Sequence, residues 1–139
     1  MRNYKGVMEF KQIEGNLDKL SGTFMVGSSD VGITLNSPLG KKSSFIFSAR
    51  RSYLQFLFTA LKLPFLPTYS DFQYKHTFRF NTKNKLNIIG LGAIDDFELN
   101  KAVNDGETDA DVIERNSYIL GNLPISTQWN YTIGANYTH

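Results

Sequence analysis

The chain closes with "QWNYTIGANYTH" (residues 128–139), and the reading of that stretch decides the fold. Trp129, Tyr131, Ile133, Ala135 and Tyr137 take every second place, with Gln128, Asn130, Thr132, Gly134 and Asn136 between them. Side chains on a β-strand alternate faces, so a strand is expected here with one aromatic, apolar face and one small, polar face. The alternation runs almost to the last residue with no turn after it, as expected of an internal piece of a longer β-protein.

The same alternation recurs upstream. In "SFIFSARRSY", Phe45, Phe47, Ala49, Arg51 and Tyr53 share one face, while Ser44, Ile46, Ser48, Arg50 and Ser52 share the other. In "TYSDFQYKHTFRF" (Thr68–Phe80), Phe72, Tyr74, His76, Phe78 and Phe80 alternate with Asp71, Gln73, Lys75, Thr77 and Arg79. Val31, Ile33 and Leu35 alternate with Gly32, Thr34 and Asn36, and Leu86–Ile94 is a further strand whose glycines at 90 and 92 blur its facing. Weaker strand candidates lie at residues 5–14, Leu20–Ser29 and Ser117–Asn122, the last before Pro124. "LQFLFTALKL" (Leu54–Leu63) breaks the two-residue period and reads as a short helix ended by Pro64. A long acidic loop is expected from about Asp95 to Asn116.

The expected fold is therefore all-β: one domain over residues 1–139, an antiparallel meander of six or seven strands with one short helix in a long loop. Short connections at 37–43 and 81–85 alternate with long ones at 53–68 and 95–117. In a meander alternate connections share an end, so tight turns gather at one end and long loops at the other.

Composition narrows the function. The 139 residues carry a formal charge of +2 without a long basic run, which argues against a nucleic-acid partner. There is no Cys and no His-x-x-x-His pattern, so no thiolate or zinc site, and no cofactor, is expected. Asp95, Asp96, Glu98, Asp105, Glu107, Asp109, Asp111 and Glu114 crowd one region, but Lys101 and Val103 stand where a calcium loop of the helix–loop–helix type needs oxygen ligands. Only one interior His, His76, is present to serve a nucleophile, and no enzyme is expected. No run of about 18 apolar residues exists for a membrane helix, and a charged segment rather than an apolar core follows Met1.

Two solvents account for an aromatic/polar alternation. A soluble β-barrel or β-sandwich turns the aromatic face inward, and could bind a small apolar ligand there. A transmembrane β-barrel turns it towards lipid and the polar face towards a wet lumen. Tyr53, Tyr69, Trp129 and Tyr137 near strand ends, and the short-turn/long-loop asymmetry, suit the membrane form.

"SPLGKKSSFIFSARRSYL" (Ser37–Leu54) resembles the early barrel strands of TonB-dependent outer-membrane receptors of the Bacteroidetes type. "LPFLPTYSDFQYK" (Leu63–Lys75), "NKLNIIGLGAIDDFELN" (Asn84–Asn100) and "GNLPISTQWNYTIGANYTH" (Gly121–His139) are similar to the strands and loops that follow. The resemblance covers roughly Gly15 to His139. It implies a receptor in the cell outer membrane that takes up a scarce solute, an iron chelate, cobalamin or glycan, using energy from an inner-membrane TonB complex. It further implies partners in outer-membrane lipid and in a plug domain of the same protein, and a chain representing only part of a barrel of about 22 strands. Neither the plug nor the TonB-contacting segment matches anything in this sequence. Under that reading Arg50, Arg51, Lys75 and Arg79 are candidates for lumen or plug contacts. Phe56, Phe58, Phe65, Asp95 and Asp96 are candidates for contacts in the extracellular loops.

A sheet of six or seven strands has two open edges, and without lipid its aromatic face is bare. Both features favour association in water, since unpaired edges template new strands and burial yields about 25 cal/mol per Å² of apolar area. The chain in detergent-free buffer is expected to form a homo-oligomer that buries Trp129. Light scattering coupled to size-exclusion chromatography checks this, and a single 15.8 kDa species with a buried Trp129 contradicts it.

Overall fold

The computed structural model describes residues 12–139. Six strands and two helices follow one another: β1 (Ser21–Val26), β2 (Asp30–Pro38), β3 (Ser43–Ser52), α1 (Leu54–Ala60), β4 (Phe65–Arg79), β5 (Lys85–Leu99), α2 (Ala110–Asn122) and β6 (Ser126–Thr138). The strands form one sheet in sequence order, each antiparallel to the next, with β1 and β6 as its edges. The expected all-β antiparallel meander is thus present, with six strands.

Register makes each face continuous. One row across the sheet runs Phe24, Ile33, Ala49, Phe72, Gly92, Tyr131, and its neighbours on the same face bring in Phe47, Tyr74, Ile94, Trp129 and Ile133. A row of the other face runs Pro38, Ser44, Thr77, Asn87, Asn136. Directly paired residues point the same way, so each row keeps to one face, although Ile46, Ile89 and Leu91 fall on the polar face and Arg51, Ser70 and Asp96 on the aromatic one.

Tight turns at 39–42 and 80–84 share one end of the sheet, and the connections carrying α1 and α2 share the other. At the tight end the Asn81 side-chain oxygen accepts the Lys83 and Asn84 backbone N–H groups at 2.9 Å, closing an Asx-type turn. Helix α1 stops before Leu63 because Lys62 takes a left-handed conformation (φ 51°). The Leu63 N–H then reaches the Phe58 carbonyl and the Lys62 N–H the Thr59 carbonyl, which is the Schellman arrangement.

Three expectations are corrected. Ser117–Asn122 is not a strand but the second half of helix α2, giving two helices rather than one. The Asp109 side chain caps α2 by accepting the Asp111 and Val112 N–H groups, and Val112, Ile113, Asn116, Ile119 and Leu120 recur at helical spacing. That capped register overrides the β-forming residues Tyr118 and Ile119. Asp95–Leu99 does not open a loop: β5 continues through it, because β4 extends back to Phe65 and supplies a partner for every residue of the ladder. Residues 12–14 lie outside any strand, and the rest of the 5–14 candidate lies outside the described residues.

Burial is inverted relative to a water-soluble sheet. Among the described residues the one buried hydrophobic is Val103, 2% exposed, while Ser44, Ser52, Thr68, Lys75, Thr77, Asn87, Asn100 and Asn116 are all buried. The aromatic face is open: Phe24 is 72% and Trp129 75% exposed. No second sheet of the described residues covers it.

The Thr77 hydroxyl donates to the Asn87 side-chain oxygen at 2.9 Å, wholly within the buried part of the polar face. Thr77→Val leaves that oxygen without its donor, and a loss of about 1–3 kcal/mol is expected. Adding Asn87→Leu should recover part of it, as read from unfolding followed by far-UV circular dichroism.

Candidate functional site

The polar face of β3–β4–β5 carries a patch built by alternation: Ser44 and Arg50 from β3, Lys75, Thr77 and Arg79 from β4, Lys85 and Asn87 from β5. The N-terminal segment at residues 12–16 lies across its tight-turn half. Lys75 Nζ donates to the Gln12 carbonyl at 2.9 Å. The Glu14 carboxylate is gripped on both oxygens, Oε2 by Arg79 Nη2 and Oε1 by Lys85 Nζ, each at 2.5 Å. Arg79 also donates from Nη1 to Ser44 Oγ at 3.1 Å, and the Asn16 N–H donates to the Asn36 side chain. Gly15 sits where a Cβ would come within 2.7–2.9 Å of the Phe45 backbone, so the segment approaches the sheet as only glycine permits. The hydrogen bond from Lys85, reinforced by that from Arg79, holds the Glu14 carboxyl below its ordinary 4.5 against the opposing effect of burial.

The other half of the face, towards the long loops, centres on Arg50. Its Nε donates to Asp71 Oδ2 at 2.9 Å, its Nη1 lies 3.8 Å from Asp30, and its guanidinium stands 5.5 Å from the Tyr69 ring centre. Tyr69 completes the cluster by donating from its hydroxyl to Asp30 at 2.7 Å, and from its N–H to Ser52 Oγ at 2.8 Å. Beside them lies a hollow of about 380 Å³ lined by Asp71, Gln73, Asp95 and Asn130. A second, of about 680 Å³, lies between the N-terminal segment and the sheet, with Gln12, Lys75 and Gln73 on its wall. Ile13, Ile46, Ile89 and Leu91 complete the second hollow, so the face combines charged and polar groups with apolar patches.

Arg50, Lys75 and Arg79 therefore stand on the polar face, as alternation required. Arg51 does not: it points to the aromatic face, where Nη1 donates to Ser70 Oγ at 3.1 Å. Adjacent positions of a strand take opposite faces, as expected of Arg50 and Arg51, and of the two Arg50 is the one on the polar face. Among the loop candidates, Phe58 packs edge-on to Phe65 at 5.5 Å and Phe65 stacks on Phe97 at 5.9 Å, whereas Phe56 is 68% exposed on α1. Asp95 and Asp96 are strand residues on opposite faces, not loop residues. Part of the acidic run is consumed locally. Glu107 accepts the Thr108 and Asp109 N–H groups, which hold its carboxyl low, and pairs with Lys62 at 3.8 Å, linking the two long connections.

Sequence reasoning passed over Glu14, Lys85, Asp30 and Tyr69 as partners. Lys85 was within reach, since it shares parity with Asn87. Glu14 was not, because its partners are 65 and 71 residues away. His76 lies on the aromatic face, stacked on Phe78 at 3.9 Å and bonded to Ser43 Oγ and the Tyr74 hydroxyl. Among the described residues no carboxylate bonds that imidazole.

No protein-family model, curated protein or solved structure matches this chain.

The Glu14 clasp sets a pH dependence. Its pKa is lower folded than unfolded, so its contribution is complete above the ordinary value of 4.5 and disappears as pH falls through the lower, folded value. Wild type should lose more stability than Glu14→Gln on going from neutral pH to well below 4.5, and Gly15→Ala should lift the segment at any pH. Melting curves across that range, with proteolysis at residues 12–16 as the local readout, check both.

Proposed function

We propose that this sheet forms part of the wall of an outer-membrane β-barrel of the TonB-dependent receptor class. Its role is uptake of a scarce solute such as an iron chelate, cobalamin or a glycan. The observation that carries the reading is the inverted burial: the tight-turn half of the polar face is covered by the chain's own N-terminal segment, and the aromatic face is bare. A water-soluble domain hides the opposite surface, because the apolar one gains by leaving water.

Dimensions support the reading. The apolar positions of β6 from Trp129 to Tyr137 extend about 27 Å along the strand, or about 21 Å along the membrane normal at a tilt near 40°, close to the apolar band of such barrels. Trp129 stands towards the long-loop end and Tyr137 towards the tight-turn end, where rings with polar handles meet the two interfaces. The open edges β1 and β6 then pair with further strands to close the wall.

In this arrangement the polar face lines the interior. The N-terminal segment enters the lumen as a polypeptide leading from a plug, held by Glu14 on Arg79 and Lys85. Arg50, Asp71, Gln73, Asp95 and Asn130 front the path from the long loops inward. Coupling to a TonB complex belongs to parts of the receptor other than this wall, and the chemistry is transport rather than catalysis.

Reconstitution into phosphatidylcholine vesicles carrying brominated acyl chains tests the reading. Trp129 fluorescence should be quenched, and Gln128→Trp in a Trp129→Phe background, which moves the indole to the polar face, should be quenched less. Equal quenching at both positions, or a monomer in detergent-free buffer with a shielded Trp129, contradicts it.

A further inference from the structure

The aromatic face is not flat. Near its long-loop end lies a hollow of about 510 Å³ whose exposed lining is almost wholly apolar. Phe24, Ile33, Phe72 and Ile94 form its walls and Ala49, between Ile33 and Phe72 in the same row, its floor. The small side chain of Ala49 leaves the depression that a larger residue would fill, while the Phe72 ring lies over Gly92, where a Cβ would collide with it.

Arg51 and Ser70 stand at its rim, paired across β3 and β4. This row also contains Val31, Ile94 and Trp129. Arg51 is exposed, and no carboxylate of the described residues pairs with it, whereas Arg50, Arg79, Lys85 and Lys62 each have one. Its sole described partner is the Ser70 oxygen, which accepts and so keeps its own O–H free to donate. A guanidinium with donors to spare, beside a free hydroxyl and above an apolar trough, matches a phosphate joined to a hydrocarbon chain. Near the edge of a bilayer an Arg costs little, about 0–1 kcal/mol, and reaches the headgroups.

We propose that this hollow is a binding site for an anionic phospholipid, with an acyl chain along Ala49 and Phe72 and the phosphate held by Arg51 and Ser70. The inference rests on the membrane reading above. It adds to that reading a specific lipid contact on the outer wall, away from the solute path.

The test measures which lipid the wall holds. The protein is reconstituted into phosphatidylcholine vesicles, and spin-labelled phosphatidylglycerol and spin-labelled phosphatidylcholine are compared for the immobilised fraction in electron paramagnetic resonance spectra. Wild type should prefer phosphatidylglycerol by about fivefold, the effect of one basic side chain near a membrane surface. Arg51→Gln should abolish the preference. Ala49→Leu, which fills the trough and keeps the charge, should weaken it. Equal immobilisation of the two probes by wild type, or a preference that survives in Arg51→Gln, overturns the lipid site while leaving the membrane reading intact. A chain that does not insert into the vesicles overturns both.

Discussion

The pairing of β4 with β5 is the constraint on which both faces depend. These are the longest strands, 15 residues each, and they are matched from Phe65↔Leu99 to Arg79↔Lys85. A slip of one residue would put Phe72 opposite Leu91 or Ala93 and mix the aromatic with the polar set. The turn at 80–84 prevents this: Asn81 gathers two N–H groups, and the Phe80 N–H reaches the Asn84 carbonyl at 3.0 Å. With that register held, Arg79 and Lys85 stand side by side and become a two-pronged grip for one carboxylate.

The polar face is largely neutralised from within. Arg50 is matched by Asp71 and Asp30, and Arg79 with Lys85 by Glu14. Lys75, buried to 8% exposure, is satisfied by a backbone carbonyl rather than a carboxylate. Charges partly removed from water are costly unless paired or hydrogen-bonded, and each of these has a partner. The N-terminal segment is part of that balance, so the polar face and the segment lying on it are one electrostatic unit. Arg51, one residue from Arg50, escapes this network because the pleat turns it to the other side.

At the loop end, order comes from a few polar clasps. Asn100 donates from its N–H to the Pro64 carbonyl and from its side chain to the Leu63 carbonyl, joining the two long connections. Asn116 donates to Asn104 at 2.9 Å beneath α2, and Lys62 meets Glu107. Phe58, Phe65 and Phe97 supply the one aromatic cluster there. This leaves the outer sides of both helices, including Phe56 and Tyr118, facing outward.

Much of this was legible from residue order. Alternation in Ser44–Tyr53, Thr68–Phe80 and residues 128–137 placed each side chain on its face, since the two-residue period is a local property of extended backbone. Lengths of connections likewise placed the turns at 39–42 and 80–84 at one end, although the short turn at 27–29 lies at the other, beside the long connections. Helix α2 was hidden because Tyr118 and Ile119 favour strands, although Asp109 and the spacing of Val112, Asn116 and Ile119 carried the contrary signal. What only the tertiary structure decided was contact across distance: that Glu14 lies on Arg79 and Lys85, that Asp30 meets Tyr69 and Arg50, and that Ala49 floors a hollow between Ile33 and Phe72. The physical reason is that alternation says which side a residue takes, whereas its neighbour on that side depends on which strands are paired, in what register, and where the free segment folds back.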